Sequence, residues 1–515
     1  MKPIRLMSGF LTVGFWTLAS RVLGVLREVI LLAYIGPGPV LDAFVAAFRL
    51  PNMFRRFFAE GAFNAAFVPM FSKRLEADDD PIGFCREALS GLAFVLMLFC
   101  ALALLFMPAL VWATASGFAG SERFDLTVEF GRVVFPYIFF ISLAALFSGV
   151  LNAAGHFAAA AAAPVLLNIG VIGAMIGAAL LDGPIATALV WAVPFTGAAQ
   201  LWLVWRAADK AGLRIRPQRP RWTPQMKALV KVAVPAALAG GVMQINLLVG
   251  QQVASHFDKA VGWLYAADRL YQLPLGVVGI AVGIVLLPDL SRRLQAGDDA
   301  GGREALSRAA EISLALTIPA AVALVVIPLS LVSVLFERGA TGAADTAAMA
   351  QAVAVYGLGL PAFVMQKVLQ PLFFARGDTK SPFRFAVIAV VINAVIAFGL
   401  SPYIGWIACA WATTLAGWGM VALLILGSRG FGDVARFDAR YHKRIWRIII
   451  AAFAMGALLY CAQLVLAPVL AMSGLRYLAL VALIAVGIIG YFAIAQMVGA
   501  LHLSEVKGAM RRRKG

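Results

Sequence analysis

The sequence predicts an all-α polytopic membrane protein, and three observations carry the prediction. Of the 515 residues, 62% are hydrophobic and only 13% are charged, whereas a soluble domain carries about 25% charged residues. The apolar runs are about 20 residues long, the length that a helix needs to cross a bilayer. They lack the alternation of apolar and polar residues that an outer-membrane barrel requires.

Fourteen membrane spans are predicted from the apolar runs. The first of them is interrupted by Arg21, Arg27 and Glu28, which does not fit a cleavable signal peptide. The predicted spans are 10–35, 41–71, 84–112, 130–153, 159–181, 185–206, 228–255, 261–290, 309–335, 347–374, 383–402, 404–427, 445–468 and 475–500.

The net charge of +17 sits mainly at the two termini and in the even-numbered loops. The positive-inside rule therefore predicts that both termini are cytoplasmic. These basic loops are expected to fix the topology and to touch anionic membrane lipids, so nucleic acid is not an expected partner. The basic residues counted with the odd-numbered loops and the span ends beside them are Arg123, Arg132, Lys259, Arg338 and Arg476.

An internal repeat divides the chain. AAFRLP at 46–51, followed by VPMFSKRLEADDD at 68–80, resembles AADRLYQLP at 266–274, followed by LPDLSRRLQAGDD at 287–299. Each repeat holds six spans, and an even number predicts parallel halves around a shared central cavity, as in transporters. The predicted organisation is an N-lobe at 1–207, a basic cytoplasmic linker at 208–227, a C-lobe at 228–428, a basic cytoplasmic loop at 429–444, spans 13 and 14 at 445–500, and a basic cytoplasmic tail at 501–515.

Charged residues inside the spans are the main functional signal. Spacing along span 1 places Arg21 and Glu28 on one helical face, with Arg27 about 100° round from Glu28. In span 2, Arg56 and Glu60 are four residues apart and can pair, while Pro51 makes the phase of Arg49 uncertain. The basic residues placed in the spans are Arg21, Arg27, Arg49, Arg55, Arg56, Arg269 and Lys367, and the acidic ones are Glu28, Glu60 and Asp268, with Asp42 near the outer mouth.

This excess of embedded positive charge predicts a water-filled cavity and an anionic guest, because unpaired buried cations are strongly penalised. Arginine suits bidentate binding of phosphate or carboxylate oxygens. Structural interpretations of these charges stay open. Arg49 and Arg56 can snorkel to the membrane surface or pair with Glu60, and Lys367 can help two helices to pack. Glu60 and Asp268 either hold arginines in place or take part in gating or proton coupling.

Catalytic and cofactor motifs are not found. The sequence has no G-x-x-x-x-G-K-[ST] nucleotide site, no H-E-x-x-H and no acidic metal cluster. Its four cysteines are scattered, which predicts neither a disulfide framework nor a metal site. We expect no cofactor, and transport energised by an ion gradient, the membrane potential or downstream consumption.

Four segments together resemble the MurJ/MviN lipid II flippases, of the multidrug/oligosaccharidyl-lipid/polysaccharide exporter superfamily. The segments are SRVLGVLREV (20–29), LDAFVAAFRLPNMFRRFFAEGAFNAAFVPMFS (41–72), APVLLN (163–168) and YAADRLYQLPLGVVGIAVGIVLLPDLS (265–291). The resemblance implies transfer of undecaprenyl-diphosphate-linked disaccharide-pentapeptide from the inner to the outer leaflet of the bacterial cytoplasmic membrane, for peptidoglycan synthesis. It also implies a V-shaped cavity between two lobes, and a groove for the lipid tail formed by spans 13 and 14.

Site residues carry over from the resemblance position by position. The family's essential cavity arginines correspond to Arg21, Arg27, Arg55 and Arg269, and its acidic positions to Asp42, Glu28 and Glu60. Arg49, Arg56 and Asp268 are further candidates for the cavity wall or for gating. Lipid II and membrane lipids are the implied partners, with cell-wall synthesis proteins as further candidates.

The sodium site of some relatives is not matched here. Span 7 offers only the amides of Gln244, Asn246, Gln251 and Gln252, and span 11 only Asn393, so the sequence leaves the coupling ion open. Rival functions are a flippase for another polyprenyl-linked glycan, a multidrug exporter, and a membrane enzyme acting on isoprenyl phosphates. A drug exporter for cations would need an acidic cavity, and the enzyme would need clustered acidic metal ligands or a nucleophilic His.

Overall fold

The structure is a computed structural model that describes the backbone of residues 6–55 and 62–500, and the side chains of residues 12–55, 66–234, 246–276, 286 and 288–500. The described backbone is helical and contains no β-strand. The α-helices are α1 Leu6–Tyr34, α2 Pro39–Arg55, α3 Ala62–Ala77, α4 Pro81–Leu105, α5 Met107–Thr114, α6 Glu122–Val134, α7 Tyr137–Ala153, α8 Phe157–Leu180, α9 Ile185–Lys210, α10 Pro224–Ala254, α11 Ala260–Gln295, α12 Asp299–Val326, α13 Pro328–Phe336, α14 Ala343–Phe374, α15 Lys380–Ile404, α16 Ala408–Ser428, α17 Ala439–Leu470 and α18 Arg476–Met497.

Membrane-spanning character is widespread along the chain. Every predicted span overlaps at least one helix, so the predicted all-α membrane class is confirmed, while the count of fourteen spans stays a prediction. Within the described residues, nine helical segments are long and apolar enough to cross a membrane: Pro81–Leu105, Glu122–Ala153, Phe157–Leu180, Ile185–Lys210, Asp299–Val326, Ala343–Phe374, Lys380–Ala435, Ala439–Leu470 and Arg476–Met497.

Three predicted single spans are each built from two helices, and proline explains the breaks. Pro108 lies in the first turn of α5, Pro136 directly precedes α7, and Pro328 begins α13. Proline has no N–H to donate and is favoured in the first turn of a helix, where that donor is unpaired anyway. Pro51, in contrast, lies within α2, which continues to Arg55.

The chain divides into two compact units, of which the first comprises Met1–Gly262 and Arg338–Thr341. In this unit α8 packs on α1 and α9, α7 packs on α9, and α10 packs on α3. These units are defined by packing, whereas the predicted lobes are defined by the sequence repeat. The predicted lobe boundaries therefore stay a prediction, although α10, which begins the second repeat, packs within the first unit.

Residues 338–341 complete the first unit by docking on the end of α1. The backbone N–H of Ala340 donates to the carbonyl of Ala33 at 2.8 Å. Gly339 has a positive φ of 57°, and a Cβ there would lie 2.1 Å from the same carbonyl oxygen. Only glycine fits this close approach between two backbones.

The second unit comprises Trp263–Glu337 and Gly342–Gly515. Here α14 packs on α12 and α16, and the pair α17–α18 packs on α12 through α17. The buried face of α17 includes the small residues Ala451, Ala452 and Gly456. Small side chains let helices approach closely where hydrophobic driving force is weak.

An ion-pair cluster centred on Glu311 of α12 fixes the start of α17. Glu311 is only 3% exposed. Its carboxylate contacts Arg444 at 2.5 Å and Arg440 at 3.5 Å, both on α17, and Arg308 on its own helix. Asp438, the N-cap of α17, also binds Arg308. The sequence-based charge balance leaves Glu311 out, although Glu311 lies within predicted span 9.

Replacing Glu311 by Gln should lower the stability of the protein by about 3 kcal/mol, because breaking a buried ion pair leaves its partners charged and uncompensated. Thermal unfolding in detergent micelles measures the loss. Glu304→Gln, an exposed site on the same helix, is the matched control. Equal melting temperatures for the two variants would contradict the structural role of the cluster.

The N-cap carboxylate predicts a dependence of stability on pH. Burial alone would raise the pKa of Asp438, but hydrogen bonds from the backbone N–H of Tyr441, at 2.7 Å, and from Arg308 outweigh it, so the pKa lies below the usual value of 3.8. Because folding lowers the pKa of Asp438, its ionised carboxylate stabilises the folded state at every pH above the pKa that it has in the unfolded chain. This stabilisation is lost as the pH falls through the pKa of Asp438 in the folded protein. Between about pH 6 and pH 3, the melting temperature should fall less for Asp438→Asn than for the unchanged protein. An equal fall in melting temperature for both proteins would refute this role of Asp438.

Candidate functional site

On α1, the structure pairs two of the predicted site residues directly. Arg27 donates from Nη2 to Oε1 of Glu28 at 2.5 Å, and Glu28 is 4% exposed. Spacing around the helix predicts a separation of about 100° between them, but two long side chains can bridge that angle. Glu28 therefore holds the Arg27 guanidinium in place and compensates its charge.

Arg21 is half-buried on the same helix. Its neighbour Ser20 is held by Asn168 of α8, whose side-chain nitrogen donates to the Ser20 carbonyl at 3.0 Å. Asn168 is buried and fixes α1 against α8 next to Arg21. Sequence reasoning missed Asn168, although it ends the APVLLN motif and is the only strongly polar residue in that motif.

Asp42, in the first turn of α2, is fully buried. Its Oδ1 accepts a hydrogen bond from the backbone N–H of Gly262, in the first turn of α11, at 2.7 Å. The first N–H groups of a helix have no partner inside the helix, and a carboxylate there is favoured by the helix dipole. Asp42 thus caps a helix that it does not belong to.

Arg123 of α6 compensates the charge of Asp42 and is a second residue that sequence reasoning missed. Its Nη1 lies 3.7 Å from Asp42, its Nη2 lies 3.1 Å from Asp258, and its guanidinium stacks over the Phe118 ring at 4.8 Å. The position of Arg123 in the sequence was a sign of its importance. It belongs to an odd-numbered loop, where the positive-inside rule disfavours cations and few are found.

Two arginines of α2 face different surroundings. Arg49 makes a long hydrogen bond of 3.4 Å to the carbonyl of Leu247 on α10. Arg55, half-buried at the end of α2, lines a cavity of about 320 Å³ within the first unit. We name it the Arg55 cavity; its walls are Arg55, Val68, Ile141, Ala144, Ala145, Ser148, Gly149, Asn152, Ala160, Ala163, Pro164 and Gln200.

Asp268 and Arg269 lie on α11 in the second unit. The Arg269 guanidinium stacks over the ring of Tyr265 at 4.6 Å. Gln272, one turn further on, donates to the Asp268 carboxylate. Arg269 is half-buried, and the ring contact restrains its guanidinium while leaving its N–H edges able to donate.

The predicted site residues Arg56 and Glu60 lie outside the described residues. Among the others, the structure brings Arg27 together with Glu28, whereas Asp42 meets Gly262 and Arg123 and is part of a separate cluster. Lys367 is exposed on α14.

Two amides of predicted span 7, Gln251 and Gln252, serve the packing of the first unit. Gln251 donates to the carbonyl of Thr114 at 3.3 Å, and Gln252 accepts from the backbone N–H of Ser116 at 3.0 Å. Among the described residues, no group of three or more His, Cys, Asp or Glu side chains could hold a metal ion. The identity of a coupling ion therefore stays open.

Comparison with known proteins decides the family. The family model described as lipid II flippase MurJ matches residues 31–491. The chain belongs to the MurJ family. Two MurJ relatives support this over nearly the full length, each named "Probable lipid II flippase MurJ". The protein of Rhizobium tropici is 42% identical over 99% of this chain and 97% of its own length. That of Rhizobium meliloti is 44% identical over 98% and 96%.

Solved structures agree on the fold. A lipid II flippase MurJ in an inward closed conformation matches with a TM-score of 0.79 at 24% identity, over 94% of this chain and 98% of that one. An inward-facing multidrug resistance MATE family transporter of the MOP superfamily matches with a TM-score of 0.59 at 16% identity, over 85% and 94%. The MurJ fold is thus related to that of MATE transporters.

Replacing Arg123 by Gln should lower stability by about 3 kcal/mol, because it removes the cation beside a fully buried carboxylate. Adding Asp42→Asn should recover most of the loss, since the amide oxygen can still accept from Gly262 and carries no charge. Chemical unfolding in detergent measures the single and double variants, with Arg132→Gln, exposed on the same helix, as the control. Strictly additive effects would show that the two residues do not interact.

Proposed function

We propose that this protein flips lipid II, the undecaprenyl-diphosphate-linked disaccharide-pentapeptide, from the inner to the outer leaflet of the cytoplasmic membrane by alternating access. Membership of the MurJ family carries the proposal. The positive charge embedded in apolar helices supports it, because the diphosphate is the strongly anionic part of this substrate. Transport of this kind involves no covalent step.

Arg21, Arg27, Arg55 and Arg269 bind the diphosphate in this proposal. A planar guanidinium binds phosphate oxygens through two parallel hydrogen bonds and stays charged at every relevant pH. Glu28 orients Arg27, and Tyr265 restrains Arg269. Because the diphosphate neutralises part of this charge, the cost of removing the arginines from water falls when substrate is bound.

The lipid tail stays in the bilayer along α17 and α18 in this proposal. Both helices expose large apolar side chains, including Phe453 and Val465 on α17 and Val481 and Ile489 on α18, each more than 60% exposed. Such a surface suits a polyprenyl chain as well as it suits lipid. The ion pairs of Glu311 anchor α17, while the apolar face of α17 contacts the lipid tail.

Energy for the return step can come from the membrane potential. With both termini in the cytoplasm, an emptied cationic site is drawn inward by a negative-inside potential, at about 2.3 kcal/mol per charge per 100 mV. A bound diphosphate cancels this force during the outward step. The proposal needs no cofactor, and the coupling ion stays open.

The decisive experiment depletes the protein and measures the exposure of lipid II at the outer leaflet. Exposure should fall as the protein disappears, and flipping should return with a plasmid-borne copy. Undiminished exposure in cells that lack another flippase would refute the function. Loss of export of a different polyprenyl-linked glycan, with lipid II unaffected, would favour that substrate instead.

The arginine site has its own test. Arg55→Ala and Arg269→Ala should each reduce lipid II flipping by about tenfold or more, since each removes a charge-assisted bidentate contact. Arg55→Lys should fall between, because lysine keeps the charge and loses the planar fork. Arg384→Ala, an exposed site, controls for expression and membrane insertion. Normal flipping by a well-expressed Arg55→Ala variant would rule out the diphosphate role.

A further inference from the structure

The Arg55 cavity is a built space within the first unit. Along α7 its walls come from residues 141, 144, 145, 148, 149 and 152, and along α8 from residues 160, 163 and 164. These spacings put each set on one helical face. Most of these side chains are small, so the space exists because bulky residues are absent. A concave space of this size can admit a small ligand.

The polar groups on the walls define what that occupant is. They are the guanidinium of Arg55, the carboxamides of Asn152 and Gln200, and the hydroxyl of Ser148, while the described walls include no carboxylate. Amides and hydroxyls both donate and accept hydrogen bonds. They suit a neutral group rich in hydroxyls and amides, attached to an anion that Arg55 binds.

Gln200 is positioned for this role by two hydrogen bonds, one of them to another residue of the cavity wall. It donates from Nε2 to the carbonyl of Ala163 at 2.8 Å and accepts from the Tyr137 hydroxyl at 3.4 Å. A carboxamide has two donor hydrogens and two acceptor lone pairs, so one of each remains. The amide plane is therefore fixed while part of its capacity is kept for another partner.

The volume of the Arg55 cavity limits which part of a substrate it can hold. A cavity of about 320 Å³ lies at the lower end of ligand pockets, which range from about 300 to 1,000 Å³. It has room for one small polar unit and not for a disaccharide with its peptide. In lipid II the unit joined to the diphosphate on the polar side is the first sugar.

We propose that the Arg55 cavity is a sugar subsite, which takes the first sugar of lipid II while Arg55 binds the adjoining diphosphate. This inference rests on the proposed function and adds to it a source of specificity. The arginines alone would bind any polyprenyl diphosphate. The subsite makes binding depend on the sugar, so that a carrier without one binds more weakly.

Ala160→Leu tests the subsite by filling it. Ala158→Leu is the matched control, because Ala158 lies on the same helix, is exposed and does not line the cavity. The purified full-length variants are titrated in lipid nanodiscs with two probes, lipid II and undecaprenyl diphosphate. Ala160→Leu should weaken lipid II binding by about tenfold and leave undecaprenyl diphosphate binding unchanged. Ala158→Leu should change neither.

A gentler variant guards against misfolding. Asn152→Ala removes one carboxamide without adding volume, and it should weaken lipid II binding severalfold with undecaprenyl diphosphate again unaffected. Equal weakening of both probes by Ala160→Leu and by Asn152→Ala would assign the cavity to the diphosphate or the polyprenyl chain and overturn the subsite. Unchanged lipid II binding in both variants would overturn it too.

The same titration separates the two proposals. If the unchanged protein binds neither probe, the lipid II function fails and the subsite falls with it. If the unchanged protein binds both probes equally well, the function stands and the subsite is refuted. Tighter binding of lipid II than of undecaprenyl diphosphate, lost specifically in Ala160→Leu, supports both.

Discussion

The described structure depends on charge compensation inside an apolar helical framework. Glu28, Asp42 and Glu311 are buried carboxylates, and each lies beside at least one arginine. Removing a lone charge from water costs several kcal/mol, and an ion pair with further hydrogen bonds offsets much of it. These pairs also fix positions: Glu28 orients a side chain, Asp42 caps a helix, and Glu311 anchors one.

The same principle connects the framework to transport. Where compensation comes from a protein carboxylate, the charge is part of the architecture. In the proposed function, an anionic substrate adds compensation at Arg55, which lines a cavity, during binding and withdraws it on release. The proposed substrate therefore acts as a temporary counter-ion, which is compatible with modest affinity and release.

Hydropathy and charge were sufficient to predict the helices and the class of protein, because hydrocarbon forces each span to be apolar and helical. The breaks at Pro108, Pro136 and Pro328 were visible in the sequence, but a hydropathy window averages across them. The candidate site was only partly predictable. The Arg27–Glu28 pair was not predicted from the angle of about 100° between the two residues around the helix, because their long side chains can bridge that angle.

Other contacts could not be read from the sequence at all. The partner of Asp42 is a backbone N–H of Gly262, and every residue except proline has such a group. Arg123 lies far from Asp42 along the chain. The Arg55 cavity results from what its walls lack, and a run of alanines such as 158–163 looks the same whether it faces lipid, a helix or an empty space.

The docking of residues 338–341 on α1 has a consequence for biosynthesis. The first unit is not finished when the ribosome passes residue 262, because its last piece emerges only after α12 and α13 have been made. Until then, the carbonyl of Ala33 lacks its hydrogen bond from Ala340. Assembly of this unit therefore depends on the progress of translation. A chain that ends before residue 338 lacks the segment that docks on the end of its first helix.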